Sequence, residues 1–246
     1  MDTVMRVHSW LLSTVVTAVP GSVLGALSAA AATVRGGRPL HPDGVVFDAV
    51  VRRTGSRRRW GAPWLDDPGE DRGLARLSRA AGLPAWSPDV LGLAVSFDDP
   101  DGERHDLLLS STGTGRVSRF VLRPRRDFAT AYTCLLPYLG TTGLVVLGAV
   151  PDQARSAGPV GFRLLAAAPR GPWHEFGQLH LTARDSEAEE RRFDPVLHPL
   201  PELRLPPALA SLREPAYAAA RRFGRLPGSP LRRPAEPATT ALPRIG

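Results

Sequence analysis

The sequence predicts an α+β chain: mainly an antiparallel sheet curled or closed into a barrel, with an apolar helical segment at the N-terminus and a helix near the C-terminus. Three observations lead there. Strand-like apolar runs fill the middle of the chain, and turns of hairpin length join them. Few connections are long enough for the crossover that a parallel pair needs. Closing such a sheet on itself removes its exposed edges.

The elements follow in order. Residues 7–34 carry no formal charge, and Arg35 closes the run. The length suits a bilayer span, and the small-residue end suits a signal cleavage region. Pro20–Gly21 in the middle and Asp2 before Arg6 instead suit a packed or membrane-touching helix pair. Anchor, signal and packed helix all remain open for this 1–35 segment. HPDG (41–44) is a turn signal, and VVFDAVVRR (45–53) has a strand's β-branched composition. A polar, Trp-bearing loop is expected over 54–71 and a short helix over Leu74–Ala81. Strands at 91–97 and 105–111 flank the turn DDPDGER. Phe128, Tyr132, Leu135 and Leu136 have helical spacing within 126–139. Strand composition returns at 143–150, 160–168 and 176–184. Residues 36–225 thus form one barrel domain with its C-terminal helix. The Pro/Arg-rich stretch 226–246 has few large apolar residues and reads as a disordered tail.

Composition excludes several chemistries. The 31 basic residues outnumber the 24 acidic ones, and all of them are arginine. Without lysine there is no Walker A loop, Schiff-base lysine or Ser/Lys dyad. There is no asparagine, and Cys134 is the sole cysteine, which excludes internal disulfides, multi-thiolate zinc sites and iron–sulfur clusters. The arginines are scattered, with clusters at 57–59, 123–126 and 221–222 but no basic stripe interleaved with aromatics. No nucleic-acid partner is expected.

Some motifs fail on spacing or context. His174 and His180 stand six apart, not the four of HExxH. On a strand with Leu179 and Leu181 in the core, both histidines would face solvent. STGTG (111–115) lacks the strand-to-helix setting of a phosphate loop, and no G-x-S-x-G elbow exists. Asp66-Asp67 and Asp98-Asp99 read as solvated loop charges.

One ordered set of segments is more specific. RPLHPDGVVFDA (38–49) has an Arg-x-x-His-x-x-Gly pattern, and RLSRAAG (76–82) follows it. SPDVLGLAVSFDDPDGERHDLLLSST (87–112) and RFVLRPRRDF (119–128) come next. In order and spacing these resemble the distal-histidine segment, the Arg-Phe-Ser segment, the strand-turn-strand block and the following aromatic strand of catalase-family proteins. Further on, Arg213-Glu-Pro-Ala-Tyr217 resembles the family's Arg-x-x-x-Tyr segment.

The resemblance implies haem b, a cytoplasmic protein, and a small peroxide or lipid hydroperoxide as substrate. His41 corresponds to the distal histidine, which exchanges a proton with bound peroxide. Ser78 would orient the imidazole, and Arg76 would pair with a haem propionate. Tyr217 would be the proximal iron ligand, bound as phenolate beside the positive charge of Arg213. Tyr132 and Tyr138 are expected to be core residues.

Departures from the family pattern imply slow chemistry. Its distal amide is absent, and Ser110, Ser111 and Thr112 occupy the region; Leu91 and Ala219 replace an arginine and an aspartate, and Pro215 interrupts the Arg–Tyr turn. Losing an oriented donor costs about 10²–10³ in rate. Weak peroxidase or hydroperoxide-processing activity is therefore the expectation. Two other readings remain: a haem-free barrel serving as a ligand-binding or membrane-associated structural module, and a phosphodiesterase-type hydrolase. Membrane contact through residues 7–34 and the oligomeric state stay open.

Overall fold

The computed structural model describes residues 43–80, 84, 86–152, 160–184, 193–195 and 197–206. Among the described residues there are nine strands: β1 (Asp43–Thr54), β2 (Pro68–Arg79), β3 (Leu91–Asp98), β4 (Arg104–Ser111), β5 (Tyr132–Thr133), β6 (Tyr138–Gly140), β7 (Gly143–Pro151), β8 (Gly161–Ala167) and β9 (His174–Ala183). Eight of them close a ring in the order β1-β2-β3-β4-β5-β7-β8-β9, with β9 returning to β1 and β6 appended to β7. Every pairing is antiparallel. The antiparallel barrel expected from the sequence is therefore present. The helical segments expected within 1–35 and near Tyr217, and the tail 226–246, lie outside the described residues.

The period of two places alternate side chains inside. Ala75 and Leu77 of β2, Leu93 and Val95 of β3, and Leu179 and Leu181 of β9 are all buried in one core cluster. Each buried leucine contributes roughly 1.5–3 kcal/mol. Residues 74–81, expected as a helix, instead extend β2 to Arg79, paired along its whole length with β1. The real signal there was alternation: Ala75 and Leu77 in, Arg76 and Ser78 out.

The loop 54–71 is not a solvated connection. Trp60, Trp64 and Leu65 are buried, and a single helical turn, α1 (Pro63–Asp66), lies among them. Trp64 stacks on Phe97 with centroids 5.3 Å apart, and its Nε1 donates to Asp71 at 3.0 Å. Asp66, expected in solvent, is buried, and its carboxylate accepts from the Trp60 and Gly61 amides at 2.8 Å each. Arg53 donates to Asp71 at 2.8 Å. With polar groups satisfied locally, two indoles can be buried without leaving a donor orphaned. Gly55 makes this turn possible: its φ is +77°, and a Cβ there would lie 2.7 Å from the Asp66 carbonyl.

The segment 126–139, expected as a helix, is mostly irregular. Tyr132 pairs with Ser111 on one side and Ala149 on the other, so it closes the ring. Leu135 has φ +54°, which a helix does not allow. Tyr132 and Tyr138 are both buried, as expected for core residues.

In β9 the leucines face the core, but the histidines do not share one solvated face. A bulge between Leu164 and Leu165 shifts the register, so Phe176 joins the core and packs on Trp64. His180 is half-buried, and His174 lies edge-on to Trp60 with centroids 5.9 Å apart.

Residues 193–195 and 197–206 run over β4 and β6. The Asp106 carboxylate accepts the Asp194 amide at 2.7 Å, and Leu139 and Arg204 exchange amide–carbonyl bonds. Leu200 and Leu203 are buried beneath this strap.

Candidate functional site

Strand parity decides which residues meet outside the barrel. Since Ala75 and Leu77 point inward, Arg76 and Ser78 stand on the outer face of β2. Gly44 of β1 and Gly92 of β3 flank Ser78, and Ser110 of β4 pairs with Gly92. The row Gly44–Ser78–Gly92–Ser110 thus crosses four strands with nothing larger than a hydroxymethyl group. Ser78 is only 6% exposed. Arg76 occupies the neighbouring row, between Val46 and Ala94.

Gly44 has a specific job here. A Cβ at this position would come within 2.5 Å of the Arg76 Nε. The guanidinium lies where a side chain would otherwise stand, beside the Ser78 row. The glycine of the Arg-x-x-His-x-x-Gly pattern is thus accounted for by this arginine.

Three hydroxyls were candidates to replace the missing amide, and the geometry separates them. Ser111 Oγ donates to the Arg123 carbonyl at 2.7 Å and accepts from the Leu91 amide at 3.0 Å. Thr112 Oγ1 donates to Thr133 Oγ1 at 3.1 Å. Both are committed to closing the barrel. Ser110 alone shares the outer row with Ser78. The register singles it out, because positions 78, 92 and 110 then fall in one row.

His41, Arg213 and Tyr217 lie outside the described residues. The structure brings Arg76 and Ser78 together with Ser110, and says nothing of the other three. Two open grooves exist elsewhere, about 570 Å³ beside Trp173, Arg163 and Asp152, and about 370 Å³ beside Pro88, Pro124 and Arg126. Neither is lined by a residue of the Ser78 row. Among the described residues, no three His, Cys, Asp or Glu side chains cluster as metal ligands. No described helix is long and apolar enough to cross a membrane.

A second arrangement, which the sequence did not flag, sits at the seam, in the connection between β4 and β5. Arg119 is 2% exposed, and it donates to the carbonyls of Gly115, Ala168 and Gly171 at 3.0–3.3 Å. Its guanidinium also lies 4.2 Å from the centroid of the Trp173 ring. Burial, aided by Arg116, lowers its pKa from the ordinary value.

No family model matches the chain, and a search of curated proteins finds no significant match. Solved structures do match. A fungal catalase superposes with a TM-score of 0.56 at 11% identity, covering 76% of this chain and 58% of its own. Catalase A from Saccharomyces cerevisiae gives 0.58 at 11% identity, over 76% of this chain and 60% of that one. The chain thus spans less than two thirds of either catalase. At this identity the likeness is one of architecture: the barrel has a catalase-like fold.

Proposed function

We propose that the chain is a reduced relative of the catalases that binds haem b on the outer face of β1–β4 and processes a small peroxide or lipid hydroperoxide slowly. The observation that carries this reading is the shared outer face of Arg76, Ser78 and Ser110. The small side chains of this row support a flat macrocycle as the occupant. The row of two glycines and two serines offers a shallow floor, and the guanidinium over Gly44 offers a bidentate partner for a carboxylate.

Haem would supply an iron at which the O–O bond is cleaved. The chain's own residues supply the rest. His41 takes a proton from the hydroperoxide at one ring nitrogen and returns it to the departing oxygen. Ser78 Oγ, opposite Gly44 of β1, would orient that imidazole, since His41 stands three positions before Gly44 in the sequence. Arg76 meets a propionate. Tyr217, with Arg213 to favour its phenolate, would hold the iron. Ser110 gives one hydroxyl where the family has an amide, which suits slow turnover.

Titration with haemin tests the reading. Full-length protein should develop a Soret band at one equivalent, and Tyr217→Phe should lose it. Ser78→Ala should keep the band and lower peroxide turnover about 10–100-fold, the usual cost of removing an orienting partner. Protein that stays colourless with excess haemin would overturn the proposal and leave a haem-free barrel.

A further inference from the structure

Histidine 105 makes two contacts that a neutral ring cannot make together. Its Nδ1 lies 2.6 Å from the Pro199 carbonyl oxygen, and its Nε2 lies 3.2 Å from Asp99 Oδ2. A carbonyl and a carboxylate only accept, so both ring nitrogens must donate. Neutral imidazole carries one N–H and the imidazolium carries two. Asp99 is not the donor. Its carboxyl is held below the ordinary carboxylate value, chiefly by the His105 hydrogen bond and then by the Glu103 amide.

Among the described residues, these two acceptors lie against the ring nitrogens. On its own strand, Arg104 is committed to Asp106 at 3.0 and 2.8 Å, and Glu103 is exposed. From β3, the Phe97 ring lies 5.5 Å away and Asp98 is exposed. From the strap, the Asp194 amide is bound to Asp106, and His198 is held through its backbone by Asp194 and Asp106. The His105 side chain is only 11% exposed.

We propose that His105 is a proton-gated latch: as imidazolium it fastens the strap turn at 197–200 to the β3–β4 turn, and on losing a proton it releases one of the two. The same strap leads into the segment that carries Arg213 and Tyr217. The latch itself does not depend on haem, and its test uses the full-length protein without haem.

Amide hydrogen exchange reads it directly, as protection factors corrected for intrinsic rates, from pH 5 to pH 9. Protection of the His198 and Leu203 amides should fall about tenfold as the ring deprotonates, a factor equal to about 1.4 kcal/mol. Core amides such as Leu93 and Val95 should not change. Asp99→Asn supplies a neutral partner that can donate to an unprotonated Nε2, so it should remove the loss at high pH. The ¹⁵N shifts of the His105 ring report the doubly protonated form at low pH. Strap protection that stays flat across the scan, or an Asp99→Asn variant that keeps the full tenfold fall, would overturn the latch.

Discussion

The barrel wall and the seam that closes it are held by different forces. In the wall, β1 and β2 pair over twelve residues and the stability comes from alternating aliphatics. In the seam, β5 is two residues long, and side chains bind backbone directly. Thr133 Oγ1 donates to the Arg119 carbonyl at 2.6 Å, Ser111 Oγ to that of Arg123 at 2.7 Å, and Tyr132 hydroxyl to that of Phe128 at 2.9 Å. Arg119 adds three more carbonyls, one from its own turn at Gly115 and two from Ala168 and Gly171. The difference teaches that a barrel can close where its sequence offers little strand character, provided polar side chains satisfy the groups a ladder would have paired.

Three measurements break or sharpen that contrast. The largest effect belongs to the wall: Leu93→Ala should cost about 3–4 kcal/mol in chemical denaturation, because the close-packed interior cannot collapse around the cavity. Arg119→Met should cost about 2–3 kcal/mol, for a different reason, since it strands partly buried carbonyls instead of opening a void. A cost below about 1 kcal/mol there would mean that the seam's side-chain bonds are dispensable.

The smallest effect is tied to pH. Burial, reinforced by Asp127, raises the Tyr132 phenol well above the ordinary value of 10.0. The folded phenol therefore stays protonated where the unfolded one ionises. Its contribution is complete below about pH 10 and is lost as pH rises beyond it, by roughly 1.4 kcal/mol per unit. Denaturant midpoints between pH 8 and pH 11 should show a slope that Tyr132→Phe reduces by that amount. Equal slopes would place Tyr132 in water.

The wall was legible in the sequence and the seam was not. The strands at 91–97 and 105–111 with their DDPDGER turn lie within one residue of β3 and β4, because alternation and turn chemistry are local signals. Residues 126–139 carry helical spacing, yet ring closure between β4 and β7 overrides it. The Trp-bearing loop read as polar because its arginines and aspartates were counted without their partners. Asp66 and Asp71 are the acceptors that allow Trp60 and Trp64 to be buried. In the candidate site, Arg76 and Ser78 were named from the resemblance. Gly44 and Ser110 gained their roles only from register.

Alternation, turn residues and the absence of crossovers determine, within the sequence itself, that this chain makes an antiparallel barrel, since each is set by neighbours a few positions away. Which hydroxyl faces Ser78, where the arginines find their acceptors and how the ring closes were decided by the tertiary structure. Those outcomes depend on contacts between residues far apart in the chain, whose relative placement no local period encodes.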